Sequence, residues 1–341
     1  MRSPSRGALA SRWRGSLPLR AFTRAGAVVA AGSLIGLAWY HLDVQPGATA
    51  AKIAFESGHM ITPPSDIDRL RRAVASSRVT VPVADAPDAG LLIYRPREAT
   101  APSPVVLWIH GGGYIAHSAA DVGDYAVLLA SRGYVVASLD YTLAPHARYP
   151  VQIRQANAAL AFIQERIASF GGDPSRVFVA GDSAGAQMAS QLAVVQTNPA
   201  FAAEIPLTPG MPAERLRGVV LDCGLYDMST VGDTGFPGLR TFLWAYTGYR
   251  DWMKAPFIDE LSTAEAATSA YPPTFITDGD DDHFAGQSEE LARSLETLGV
   301  PTETLFFTKA GLGHEYQFDF LKPQAVVALN QTVAFLQRHS R

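Results

Sequence analysis

Cysteine is almost absent from this 341-residue chain: Cys223 stands alone. A single thiol closes no intrachain disulfide and supplies neither a cysteine zinc site nor a C-x-x-C redox pair, so its plainest reading is a small buried apolar residue. Basic charge is scarce where a nucleic-acid partner would need it. The net charge of -4 conceals six arginines and no acid within residues 1–24, which leaves the rest of the chain markedly acidic. No basic patch is expected on that body, and nucleic acid is excluded as a partner. Long apolar runs are missing as well. Residues 25–40, AGAVVAAGSLIGLAWY, are free of charge, but as a helix they would span only ~24 Å against a hydrocarbon core of about 30 Å. With 48% hydrophobic and 18% charged residues, the remainder has enough apolar surface for a large core and reads as globular.

The arginine-rich flank followed by an apolar stretch marks residues 1–50 as a leader. GATAA at 47–51 offers a small-residue cleavage site after Ala50, while Trp39 and Tyr40 resemble an interfacial belt. The expectation is an N-terminal segment that engages a membrane as an anchor, with residues 51–341 on the non-cytoplasmic side; release after cleavage near Ala50 is the alternative.

From about residue 76 the pattern becomes rhythmic. Eight β-rich runs follow in order: RVTVPV (78–83), LLIYR (91–95), VVLWIHG (105–111), YVVASLDY (134–141), VFVAG (177–181), GVVLDCG (218–224), TFITDGD (274–280) and ETLFFT (303–308). The first two, separated by ADAPDAG, suggest an antiparallel hairpin; the later ones are nearly all apolar, as strands buried on both faces are. Helical spacing lies between them at about 121–132, 151–170, 184–197, 286–299 and 323–339. This alternation predicts a mostly parallel sheet with helices on both sides. Residues 225–271 break the rhythm with aromatics and glycines, and read with about 51–76 as elements of a cap over one edge of the sheet.

The chemistry gathers in the loops after the strands. In GDSAG (181–185), Ser183 stands at a strand-to-helix junction, where G-x-S-x-G forms a strained elbow that lifts the hydroxyl above the sheet. A neutral serine needs a base and an orienting carboxylate. Of eight histidines, His314 in KAGLGHEYQF is the best placed, directly after the last strand run. The cluster Asp278, Asp280, Asp281 and Asp282 supplies acids in the expected order between serine and histidine; it lacks the spacing of an EF-hand loop, and no metal is expected. HGGGY (110–114) allows backbone N–H groups to approach a substrate oxygen closely, as an oxyanion requires.

On these motifs, together with DYTLAPHARYP (140–150) and YPPTFITDGDDDHF (271–284), residues 76–340 resemble the α/β-hydrolase fold and, within it, the hormone-sensitive-lipase-like (type IV) esterases. The resemblance implies an eight-stranded, mostly parallel sheet flanked by helices, with a cap. It implies Ser183 as nucleophile, His314 as base and Asp282 as acid, the last from its spacing to Pro273 and Val300, with Asp280 as fallback. Gly111, Gly112 and the N–H of Ala184 would form the oxyanion hole. The implied reaction is hydrolysis of a small carboxylic ester, short- to medium-chain or aromatic, with no cofactor and no metal. An amide hydrolase on the same triad and a noncatalytic receptor on the same fold are the alternatives. The chain departs from the family pattern at Thr142, at His146 and at HEYQF, which replaces the frequent His-Gly-Phe.

Overall fold

The computed structural model describes residues 42–341. All eight expected strands are present: β1 (Val74–Val81), β2 (Ala89–Pro96), β3 (Ser103–Ile109), β4 (Val135–Asp140), β5 (Gly172–Asp182), β6 (Leu216–Asp222), β7 (Thr274–Asp278) and β8 (Thr302–Phe306). They form one sheet in the order β1-β2-β4-β3-β5-β6-β7-β8. The β1–β2 and β2–β4 pairs are antiparallel and every other pair is parallel. The apolar runs read as doubly buried strands are so: Val105 to Ile109 and Val177 to Ala180 are sealed from solvent. Helices cover both faces, and each such side chain removed from water stabilises the fold by roughly 1.5–3 kcal/mol.

Strand order decides where chemistry can occur. From β3 the chain moves one way to β4 and the other way to β5, which opens a crevice at the carboxyl ends of β3 and β5. Ile109 pairs with Gly181 across these strands, so the glycine loop after β3 and the serine elbow after β5 emerge side by side. β7 and β8 likewise pair through Asp278 and Phe306, bringing together the loops that carry the acids and His314.

The edges of the organisation differ from the expectation. β1 begins at Val74 because its small polar residues pair along their whole length with β2, from Val74 with Pro96 to Val81 with Ala89; residues 74–76 are therefore sheet and not cap. The boundary after residue 50 falls inside a helix, Gln45–Glu56, whose Ala48 is buried together with the preceding Val44. Residues 225–271 hold the helix Leu239–Thr247, three short 3-10 turns and the short helix Thr263–Ala266. The helix Gln45–Glu56 packs against Leu239–Thr247, with Phe55 and Phe242 ring centroids 6.2 Å apart. The apolar stretch 25–40 lies outside the described residues; among those described, no helix is long and apolar enough to cross a membrane.

Candidate active site

Ser183 connects β5 to the helix Ala184–Thr197 in a strained conformation, φ 52° and ψ −121°, rare for a residue with a side chain. The turn closes only because its flanking residues are glycines. A Cβ on Gly185 would lie 1.9 Å from the Ile109 carbonyl oxygen, and one on Gly181 would lie 2.4 Å from that of Gly185. The Ser183 N–H donates to the Asp222 carbonyl at 2.8 Å, anchoring the elbow to β6.

The structure brings three predicted residues together. His314 Nε2 is 2.9 Å from Ser183 Oγ, and its Nδ1 is 2.7 Å from Asp282 Oδ2. Asp282 also accepts the Phe284 N–H. Asp280 turns away and accepts the N–H groups of Ala310, Gly311 and Leu312; it organises the loop before His314 and does not touch the imidazole. Burial acts to raise the Asp282 carboxyl, but the hydrogen bond and charge of His314, with hydrogen bonds from Asp278 and Phe284, hold it below the usual carboxylate range. For His314 burial acts downward, and it is outweighed by the hydrogen bond to Asp282 and the charges of Glu315 and Asp282, leaving the imidazole raised. Cys223 offers its sulfur within 4.8 Å of the Asp282 and His314 donors, yet both imidazole nitrogens already have protein partners.

Around the glycine loop the structure corrects one expectation. The Gly111 N–H donates to Asp182 Oδ2 at 2.7 Å, so it is not directed at an oxyanion. Asp182 is fully buried and needs donors; it takes that N–H and the Trp108 indole N–H, also at 2.7 Å. Gly112 and Gly113 follow at φ 98° and 59°. Their N–H groups and that of Ala184, at the start of its helix, have no acceptor among the described residues. Gly112 and Ala184 stay as expected donors, and Gly113 replaces Gly111. The loop is pinned from behind: His110 Nδ1 pairs with the Gly111 carbonyl at 2.8 Å, the ring stacks on Tyr141, and the Tyr141 hydroxyl donates to the His110 carbonyl. Burial lowers His110 to about 4, so at neutral pH its ring is uncharged and Nδ1–H is the donor.

Of the insertion's aromatics, Phe236 lies edge-on to His314 with centroids 4.8 Å apart and stacks on Phe284, while Phe242 packs beside Gly113. Tyr246 is buried and stacks on Tyr114, tying the insertion to the glycine loop, while Trp252 is buried and Tyr249 is exposed. A cleft of about 360 Å³ opens at His314, lined by Phe55, His59, Met60, His117 and Glu315 among others. Phe55 and Glu315 were not anticipated. The first comes from a helix, Gln45–Glu56, that straddles the expected boundary between leader and cap; the second carried a visible signal, being an acid directly after the histidine.

Residues 106–317 match the family described as the α/β-hydrolase fold. The chain is 33% identical over 162 residues, 47% of its length, to Esterase LipC of Mycobacterium tuberculosis, of which it spans only 39%. It is 29% identical over 294 residues, 81% of its length, to Carboxylesterase NlhH of the same organism, of which it spans 85%. Among solved structures, a bacterial heroin esterase is similar with a TM-score of 0.71 and 23% identity, covering 86% of this chain and 92% of that one; at this identity the likeness concerns the fold alone.

Proposed function

The chain belongs to the α/β-hydrolase fold family, and from that premise we propose that it is a serine carboxylesterase that hydrolyses short- to medium-chain or aromatic carboxylic esters through an acyl-enzyme. The observation that carries this reading is the unbroken relay at the elbow: Ser183 Oγ to His314 Nε2 at 2.9 Å, and Nδ1 to Asp282 at 2.7 Å. Ser183 attacks the ester carbonyl as its proton passes to His314, and Asp282 holds the imidazole in the tautomer that can accept it. Negative charge on the carbonyl oxygen is met by the N–H groups of Gly112, Gly113 and Ala184, the last at the positive end of its helix. His314 then protonates the departing alcohol, and water, activated by the same base, releases the acid. Phe55, Phe236 and Phe242 close in on this point, and the modest cleft supports small esters over long-chain ones.

Hydrolysis of p-nitrophenyl esters from acetate to palmitate, beside Ser183→Ala, tests the reading. We expect a maximum at short chains and a loss of roughly 10⁴–10⁶-fold in the variant. A Ser183→Ala enzyme as active as wild type sinks it, and faster turnover of matched aryl amides would replace the ester with an amide.

We further propose that the N-terminal segment is retained as a membrane anchor. Cleavage after Ala50 would cut the helix Gln45–Glu56 midway and remove the buried Val44 and Ala48, which supports retention. Mass spectrometry of the protein from a membrane fraction checks this: a mature terminus at Ala51 would refute it.

A further inference from the structure

The residue after the histidine departs from the pattern of the resembled esterases, and its geometry explains what the departure does. Glu315 sits in the left-handed region at φ 57° and ψ 32°, a conformation that glycine adopts without steric conflict and that other residues adopt seldom. This backbone turns the side chain back toward the site. Glu315 Oε1 stands 3.9 Å from His314 Nε2, and a Cβ built on Gly111 would meet the same oxygen at 3.0 Å. The carboxylate therefore lies beside both the general base and the glycine loop. Among the described residues, His314 is the one cation-forming group within ion-pairing reach of it.

The charged and titratable neighbours of this pair are few. Asp282 bonds the far nitrogen of His314, Asp278 bonds Asp282 from behind, and the Cys223 thiol lies close to both Asp282 and His314; the remaining faces of the ring meet Phe236 and Phe284. On the other side of Glu315 stand Asp182 and Asp222, whose carboxyls are pushed up by burial first and by the Glu315 charge second. In the cleft are His59, His117, and Lys322 with its partner Asp319 at 3.7 Å. The two buried aspartates, held toward their neutral forms, leave Glu315 as the charge on the Nε2 side.

We propose, resting on the serine-esterase reading above, that Glu315 is a positioning residue whose carboxylate stabilises the His314 imidazolium formed when Ser183 attacks. In that step the Ser183 O–H bond breaks, the Oγ–carbonyl bond forms, and the proton goes to Nε2. The cation is then flanked by Asp282 at Nδ1 and Glu315 near Nε2 until the proton leaves with the alcohol. A glycine at this place leaves the cation with a single carboxylate.

The test is the pH dependence of kcat/KM for p-nitrophenyl acetate in Glu315→Gln, Glu315→Gly and Glu315→Asp. A base must be neutral to act, so removing a negative charge that favours its protonated form moves the acid limb to lower pH. The expected move is roughly one pH unit for an opposite charge about 4 Å away, together with a lower plateau. Glu315→Gly, which suits the backbone, should move the limb as Glu315→Gln does, and Glu315→Asp should restore it toward wild type. A limb that stays in place in Glu315→Gln, with or without a uniform loss of rate, overturns the proposal. NMR titration of the His314 ring in wild type and Glu315→Gln gives the same reading without turnover. A lowered midpoint in an enzyme lacking Ser183-dependent hydrolysis upholds the contact while rejecting the esterase reading, and an unchanged midpoint rejects the contact.

Discussion

Two acidic neighbourhoods flank the Ser183–His314 pair, and they behave in opposite ways. On one side Asp282 is mostly buried, yet it is held below the ordinary carboxylate range by His314, Asp278 and the Phe284 N–H. On the other, Asp182 is fully buried and also accepts two hydrogen bonds, yet burial and the charge of Glu315 push it well above that range. Asp222, paired with it across β5 and β6, is driven the same way, with neither carboxylate oxygen bonded. Burial is common to both sides. What separates them is a neighbour able to become a cation: the first side has an imidazole in direct contact, and the second faces another acid. In the proposed mechanism the same residue type thus supplies a charge to orient the base and, on the other side, a polar buttress to the glycine loop.

The comparison can be broken most severely at Asp282. Asp282→Asn should lower kcat on the order of 10⁴-fold, because the amide cannot hold the tautomer that accepts the Ser183 proton; steady-state kinetics with a short ester measures it. On the opposite side, Asp182→Ala leaves the Trp108 and Gly111 N–H groups without acceptors. This should cost about 1–3 kcal/mol of stability in a denaturant titration, with a smaller loss of rate as the glycine loop loosens. The wild-type pH profile sharpens the contrast further. Since the His314 imidazole is raised from its ordinary range and in the proposed mechanism the neutral ring is the active form, the acid limb of kcat/KM should lie above that of an ordinary histidine. The smallest effect is expected for Asp280→Asn, which alters a loop contact beside the triad acid and should leave turnover near wild type; a loss approaching that of Asp282→Asn would mean that the acid has been assigned to the wrong carboxylate.

Much of this architecture was legible in the linear chain. Strands buried on both faces must be apolar along their length, so VVLWI, VFVA and GVVLD announce themselves; Ser183 and His314 followed from their places after such strands. The choice among four clustered aspartates was different in kind. Asp280 and Asp282 are two residues apart in a loop, where no period fixes direction, and only resemblance favoured Asp282. Gly111 was misassigned for a related reason: its N–H is claimed by Asp182, 71 residues away, a meeting that depends on β3 and β5 being neighbours. The boundary drawn after Ala50 falls inside a helix, because a cleavage pattern and a helix of small residues look alike until Ala48 is seen to be buried.

By itself the sequence determined the class of fold, the elbow, the glycine loop and the order of serine, acid and histidine, since these rest on local sterics, on hydrophobic periodicity and on chain order. Tertiary structure alone decided which carboxylate touches His314, which backbone N–H groups remain free, that Phe55 reaches the site from the N-terminal helix, and that Glu315 turns its charge toward the base. Those outcomes depend on distances between segments far apart in the chain, and such distances are set only when the sheet has closed in one strand order and its loops have met at one edge.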